Sequence, residues 1–387
     1  MSKHSHLKKI LILGSGILGG AVLDFLAQSG QPYDITVGGR NAEKTWLRIN
    51  LAKFAATNLG HMPKLSFVEI DVMNIEETAS AIETLAPDLI FNATTLHSWW
   101  VITQLPAGAY QRIDAARGGV WTPMHLVLTR RLMKAVKLSG VTAHVVNASY
   151  PDVVNAALAA EGLAPSIGIG NIANTVPVLR YAAAHILEQD PSAVQIRVFG
   201  QHYFSYRMPS SGTAKDIPYH LAIYLYGELQ PTDTERDEAI FSTLTGPFKR
   251  VRGLAGQSVT ATSATRVIRA LIDDGTEIVH APGPLGLVGG YPVQVTQGSL
   301  SIALPEGMTL AGAVDINRRC QVLDGIADVG ADGSVRYTPE SAGILKEELG
   351  YDCELMHLDE CEDRAAELAA KFGEYYRRLG DDRIRAA

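Results

Sequence analysis

The sequence predicts an α/β fold: a doubly wound parallel sheet with helices on both faces, followed by an α+β substrate or catalytic domain. Strand and helix patterns alternate over residues 1–170, and a glycine-rich turn joins the first strand to the first helix. Beyond about residue 170 the alternation stops, which separates a second segment, 171–387, from the first. A chain of 387 residues exceeds one typical core, in keeping with two joined domains.

The first strand, 8–13, is the apolar run Lys8-Lys9-Ile10-Leu11-Ile12-Leu13. It leads into Gly14-Ser15-Gly16-Ile17-Leu18-Gly19-Gly20 and a helical pattern over 17–29. Strand, G-x-G-x-x-G and helix in that order form the dinucleotide fingerprint of a Rossmann sheet. Gly14 permits the tight turn, Gly16 lets backbone amides close on a pyrophosphate, and Gly19 lets the helix pack near the strand. The helix N-terminus adds partial positive charge for the phosphates, with Ser15, Ile17 and Leu18 completing the loop.

Further strands are expected at 33–38, 65–70, 88–93, 142–147 and 165–169. Helices are expected near 42–59, 75–85, 122–139 and 151–161. In such a sheet the ligand lies beyond the C-terminal strand ends at the switch point. That places three more sets in the nucleotide site: Gly39, Arg40 and Asn41 after the second strand, Asp71 and Val72 after the third, and Asn92, Ala93 and Thr94 after the fourth. An acid at the end of the second strand would bind the ribose of NAD; Asp34 stands at the wrong end, and Arg40 is placed to pair with a 2′-phosphate. The cofactor expected is NADP, with Lys44 adding charge.

In the second segment a helix is expected over 171–188, then a strand over 193–200. Helical stretches follow near 217–229, 233–247 and 257–274. Antiparallel strands at 277–280 and 291–304 turn at Gln297-Gly298, and a charged helix runs over about 357–378.

Composition narrows the partners. A net charge of −7 without a basic stripe argues against nucleic acid. No apolar run is long enough to span a bilayer, and Met1–His6 lead straight into the first strand without a signal peptide pattern. The three cysteines, Cys320, Cys353 and Cys361, are too few for a disulfide framework, which points to the cytoplasm. Cys353, His357 and Cys361 recur every four residues, but the two cysteines read as packed or solvated thiols and the set is not read as a metal site.

Several polar residues are candidates for chemistry. They cluster at Asn147-Ala148-Ser149-Tyr150-Pro151-Asp152, at Gly170-Asn171 through Asn174 to Arg180, and at Gly200-Gln201-His202. In this order of elements the chain resembles the lactate/malate dehydrogenase family. The resemblance implies His202, in the G-x-H turn, as general acid and base. The family's orienting Asp on the preceding helix is replaced here by Asn174. Its carboxylate-binding Arg is replaced by Pro177, leaving Arg180 one turn later. Asn147 or Tyr150 takes the place of the fifth-strand Asn. Dimerisation is implied by the same likeness.

Thr94 through Trp100 occupy the family's mobile lid, and Trp99-Trp100 form either an aromatic wall for a bulky substrate or a packing contact. Arg112 and Arg117 follow as candidates to polarise a carbonyl or hold an anion, with His97 as another acid. The nucleotide half is also similar to saccharopine-dehydrogenase-type domains. The expectation is therefore hydride transfer between NADP and a carbonyl or hydroxyl of a small molecule. Imine reduction and a redox-silent NADP sensor are the alternatives.

Overall fold

The computed structural model describes residues 7–251 and 253–386; Met1–His6, expected to lead directly into the first strand, lie outside them. Strands and helices alternate at first: β1 (Lys8–Leu13), α1 (Ile17–Gln28), β2 (Tyr33–Gly39), α2 (Ala42–Asn58), β3 (Lys64–Glu69), α3 (Ile75–Leu85) and β4 (Leu89–Asn92). Then come α4 (Ala107–Ala115), α5 (Thr122–Ser139), β5 (His144–Asn147), α6 (Pro151–Ala159) and β6 (Ile167–Gly168). The six strands pair in parallel in the order β3-β2-β1-β4-β5-β6, which is the doubly wound sheet expected.

The sheet is apolar on both faces because helices cover both. Along β1, Ile10 and Ile12 join a core built with α1 and α2, while Leu11 and Leu13 join one built with α3 and α5. Asn41 and Asn74 start α2 and α3 by accepting the N–H of Lys44 and Glu77. The order reverses direction between β1 and β4, so their ends open the crevice where the glycine turn lies.

The second part continues with α7 (Ile172–Ile186), β7 (Val194–Phe199), α8 (His202–Ser211), β8 (His220–Leu225), β9 (Glu228–Leu229) and α9 (Thr234–Ser242). It proceeds through α10 (Gln257–Ile272), β10 (Thr276–Pro282), β11 (Gly290–Thr296), β12 (Ser299–Ile302) and α11 (Leu310–Leu323). It ends with β13 (Ile326–Val329), β14 (Val335–Tyr337), α12 (Pro339–Leu349), β15 (Leu355–Met356) and α13 (Cys361–Ala386). Three small antiparallel sheets result, β7-β8-β9, β10-β11-β12 and β13-β14-β15.

The helix expected near 217–229 is instead the β8–β9 hairpin. Tyr226 and Gly227 both have positive φ, 50° and 87°, which turns the chain back on itself, and β8 pairs with β7 along its whole length. Neither α8 nor the elements from α11 to β15 were foreseen. The last of these pack on the nucleotide half: Ile326, Tyr337, Leu345 and Leu368 share one core with Ile113, Leu126 and Val154 of α4, α5 and α6. Cys353 lies ahead of β15 and Cys361 opens α13, so the four-residue spacing does not fall on one helix. Among the described residues no helix is long and apolar enough to cross a membrane.

Candidate active site

β1 ends in a turn suited to glycine. Gly14 has φ +95°, and its N–H donates to Gly38 O at 3.1 Å, which ties the turn to β2. A Cβ on Gly19 would stand 1.9 Å from Gly14 O, so α1 meets the turn at backbone contact. At Gly16, the N-cap of α1, a Cβ would meet nothing within 4 Å, and no side chain caps the helix. The first turn of α1 has no acidic residue, and Ile17 is exposed beside it. Open amides, a positive helix end and a bare approach fit the pyrophosphate of a dinucleotide.

At the corner after β2, Gly39 abuts Thr45, whose Oγ1 lies 3.3 Å from Ser15 Oγ. Arg40 is exposed here, and no ion pair engages it among the described residues. Asp34 sits at the other end of β2, where it pairs with Lys64 at 2.5 Å. Asn41 is committed to capping α2. After β3, one carboxylate oxygen of Asp71 accepts the Met73 N–H, while Val72 turns into the core with Leu13. After β4, Asn92 is fully buried and its Oδ1 accepts from the N–H and hydroxyl of Thr94; Ala93 O lies against Gly14.

Leu18 then reaches the wall of a cavity of about 390 Å³. Ala148 and Ile169 line it from the sheet ends, and Trp121, His202 and Tyr203 line it from beyond. His202 opens α8 immediately after Gln201, which caps that helix by accepting the Tyr203 N–H at 2.8 Å. The imidazole Nδ1 lies 2.9 Å from Asp324 Oδ2. That single oxygen also accepts the Tyr150 hydroxyl at 2.5 Å and Gln201 Nε2 at 3.0 Å. With Nδ1 committed, Nε2 is the nitrogen left for chemistry.

The environment separates the three histidines of the cavity. Burial alone pushes His97 down to about 4; burial, joined by His97 and His202, takes His125 to about 3. Burial also disfavours charge on His202, but the Asp324 carboxylate, with help from Asp152, outweighs it and lifts the imidazole to about 9. Asp324 is itself driven up by burial and down further by His202 and its three donors, so it stays below the usual carboxylate range. At neutral pH His202 is the one of the three that its surroundings hold as imidazolium. Burial raises the Tyr150 hydroxyl well above its ordinary value, so Tyr150 braces Asp324 and the His202 ring it contacts edge-on at 5.4 Å.

Asn174 and Arg180 do not meet His202. Asn174 lines the cavity, but α7 turns it toward α10, where Nδ2 donates to Thr260 Oγ1 at 3.0 Å and Oδ1 accepts from Ser263 at 3.3 Å. Arg180 points away and donates to Pro191 O at 2.6 Å and Ser192 O at 3.1 Å. Asn147 is fully buried and bonded to Asn92, Asn155 and Ser149 O, which braces the strand ends and keeps it off the cavity wall. Trp99 lines the cavity. Asp324 was missed because it follows α11, 122 residues beyond its histidine, and no local pattern marks it.

No protein-family model and no curated protein sequence matches the chain. Among solved structures, the lactate dehydrogenase of Eimeria maxima, determined with NADH and oxamate, is similar at 12% identity and TM-score 0.54, covering 83% of this chain and 93% of its own. The malate dehydrogenase of Plasmodium falciparum is similar at 14% identity and TM-score 0.53, covering 82% and 98%. That of Cryptosporidium parvum is similar at 15% and 0.51, covering 82% and 99%. The chain thus has the fold of lactate and malate dehydrogenases, as its order of elements led one to expect, in a divergent sequence.

Proposed function

We propose that the chain is an NADP-dependent oxidoreductase that moves a hydride between nicotinamide and the carbonyl or hydroxyl carbon of a small molecule. The observation that supports this most is the His202–Asp324 pair, set in a cavity whose wall includes Leu18 of the glycine-loop helix. When bound, the dinucleotide supplies or takes the hydride. His202 Nε2 gives a proton to the carbonyl oxygen in reduction and takes it from the hydroxyl in oxidation. Asp324 fixes the ring and its tautomer through Nδ1, and Tyr150 and Gln201 fix Asp324. Gly14, Gly16 and Gly19 would hold the pyrophosphate, and Arg40 would pair with the 2′-phosphate.

The deciding experiment is deuterium transfer from C4-deuterated NADPH to a carbonyl panel, with and without added amines. Stereospecific label in an alcohol product supports the reading. Turnover only when an amine is present transfers it to imine reduction, and no label in any product leaves a redox-silent binder.

Cofactor choice has its own check. Arg40→Asp is expected to weaken NADPH by roughly 10- to 100-fold, the scale of a lost charge-assisted pair, while NADH is held or improved. Comparing kcat/KM for the two cofactors reads this directly. A second copy of the chain is the proposed partner. It would cover the exposed apolar face of α2, where Leu47, Leu51 and Phe54 are each more than 60% exposed. Sedimentation should give a dimer, and Leu51→Glu with Phe54→Glu should return it to monomer.

A further inference from the structure

We propose that the cavity takes an amphipathic carboxylate with a flat, apolar body, larger than lactate or malate, and that Arg117 holds its carboxylate. This rests on the reading of His202 as the proton donor, and names what that donor acts on.

Arg117 follows α4 with φ +70°, a left-handed conformation that is uncommon for a residue other than glycine and is often kept at functional sites. The surroundings hold it there: Arg117 N–H donates to Asp114 O at 3.0 Å, and Gly119 N–H donates to Asp324 O at 2.8 Å. Between them Gly118 lies so close to the pair that a Cβ would stand 3.2 Å from His202 and 3.3 Å from Asp324. The Arg117 guanidinium is thereby set on the acid's side of the cavity, over the Tyr203 ring at 5.7 Å. No carboxylate pairs with it among the described residues; the Asp114 side chain accepts instead from the Tyr110 hydroxyl. Of the other arginines named as candidates, Arg112 is paired with Glu348 at 2.9 Å and Arg180 with backbone carbonyls, while Arg250 is a further arginine of the cavity lining.

Several aromatic rings line the same cavity, which Arg250 and Asp114 also reach. Trp121 is stacked with His97 at 5.0 Å, and burial keeps that imidazole neutral. Tyr206 stacks on His202 at 6.3 Å, and Trp99 also lines the cavity. The Arg117 guanidinium beside the proton donor and aromatic rings in the same lining match a ligand that is anionic at one end and flat and apolar at the other. The volume of about 390 Å³ lies within the roughly 300–1,000 Å³ of pockets that enclose ligands of drug size.

The test is calorimetric binding to the NADP⁺-loaded protein, with 3-phenylpropanoate, its neutral amide and lactate as probes. The acid is expected to bind roughly 10- to 100-fold tighter than either of the others. Arg117→Gln should remove the preference of acid over amide, and Arg117→Lys should keep part of it. Lactate binding as tightly as 3-phenylpropanoate, or an acid preference that survives Arg117→Gln, overturns the proposal. If Arg117→Gln does not fold, the wild-type ranking and Arg117→Lys decide by the same criteria. Because these are binding measurements, an absence of hydride transfer overturns the oxidoreductase reading and leaves this one standing. Equal kcat/KM for lactate and 3-phenyllactate overturns this one alone.

Discussion

Replacing His202 by Asn is expected to lower carbonyl reduction by roughly 10²- to 10⁴-fold, the usual contribution of a positioned acid, with the Kd for NADPH unchanged. Single-turnover rates and a fluorescence titration separate the two effects. The partner variant, Asp324→Asn, reads the mechanism through pH. Reduction needs the imidazolium, so with His202 at about 9 the rate should stay level through neutrality and fall above about 9. Without the Asp324 carboxylate, burial is opposed only by the weaker pull of Asp152, and the falling limb should move well below 9. Stability follows the same sign. Because the folded pKa is raised above 6.5, the contribution of His202 is full below 6.5 and is lost as pH rises through about 9. Thermal unfolding of the wild type should therefore weaken across that window, and Asp324→Asn should lack that decline. A limb that stays near 9 in Asp324→Asn would refute the pairing.

Gly19→Ala should be nearly as damaging, through the fold as well as through binding. The new Cβ would stand 1.9 Å from a backbone oxygen, Gly14 O, and no flexible side chain is there to yield. Forcing α1 away from the turn costs about 1–3 kcal/mol, as overpacking does, and pulls the helix end off the phosphates. Gly16→Ala is the matched comparison. Its Cβ enters open space, so stability should change by about 0.5 kcal/mol or less while NADPH affinity falls. Urea unfolding with NADPH titration of both variants separates a packing glycine from a ligand-facing one.

These two predictions draw on information of different range. The glycine turn was legible because its constraints are local: a strand, a backbone contact between Gly14 and Gly19, and a helix start all fall within twelve residues of Lys8. The whole parallel sheet followed from such local periodicity. The stretch 217–229 was misread because a short aromatic and apolar run suits helix and strand alike, and only pairing with β7 decides between them. The place of His202 on the cavity wall was legible from the order of elements that carries the family resemblance. The site was illegible where tertiary packing chooses the partner. Asn174 stands where the family resemblance put the orienting Asp, yet its face of α7 meets Thr260 and Ser263; Asp324 had no such marker and meets three donors.

The placement of Asp324 also bears on how the chain comes to life. A ribosome delivers the nucleotide sheet first, and about 120 residues after His202 emerges it delivers the carboxylate that gives that imidazole its charge. β13, α12 and α13 must then dock back on α4, α5 and α6, a contact of long sequence separation and slow closure. A nascent or clipped chain that ends before Asp324 would retain the β1-to-β6 sequence and lack a competent proton donor. On the proposed reading, the glycine turn would thus be synthesised well before the carboxylate on which the proton donor depends.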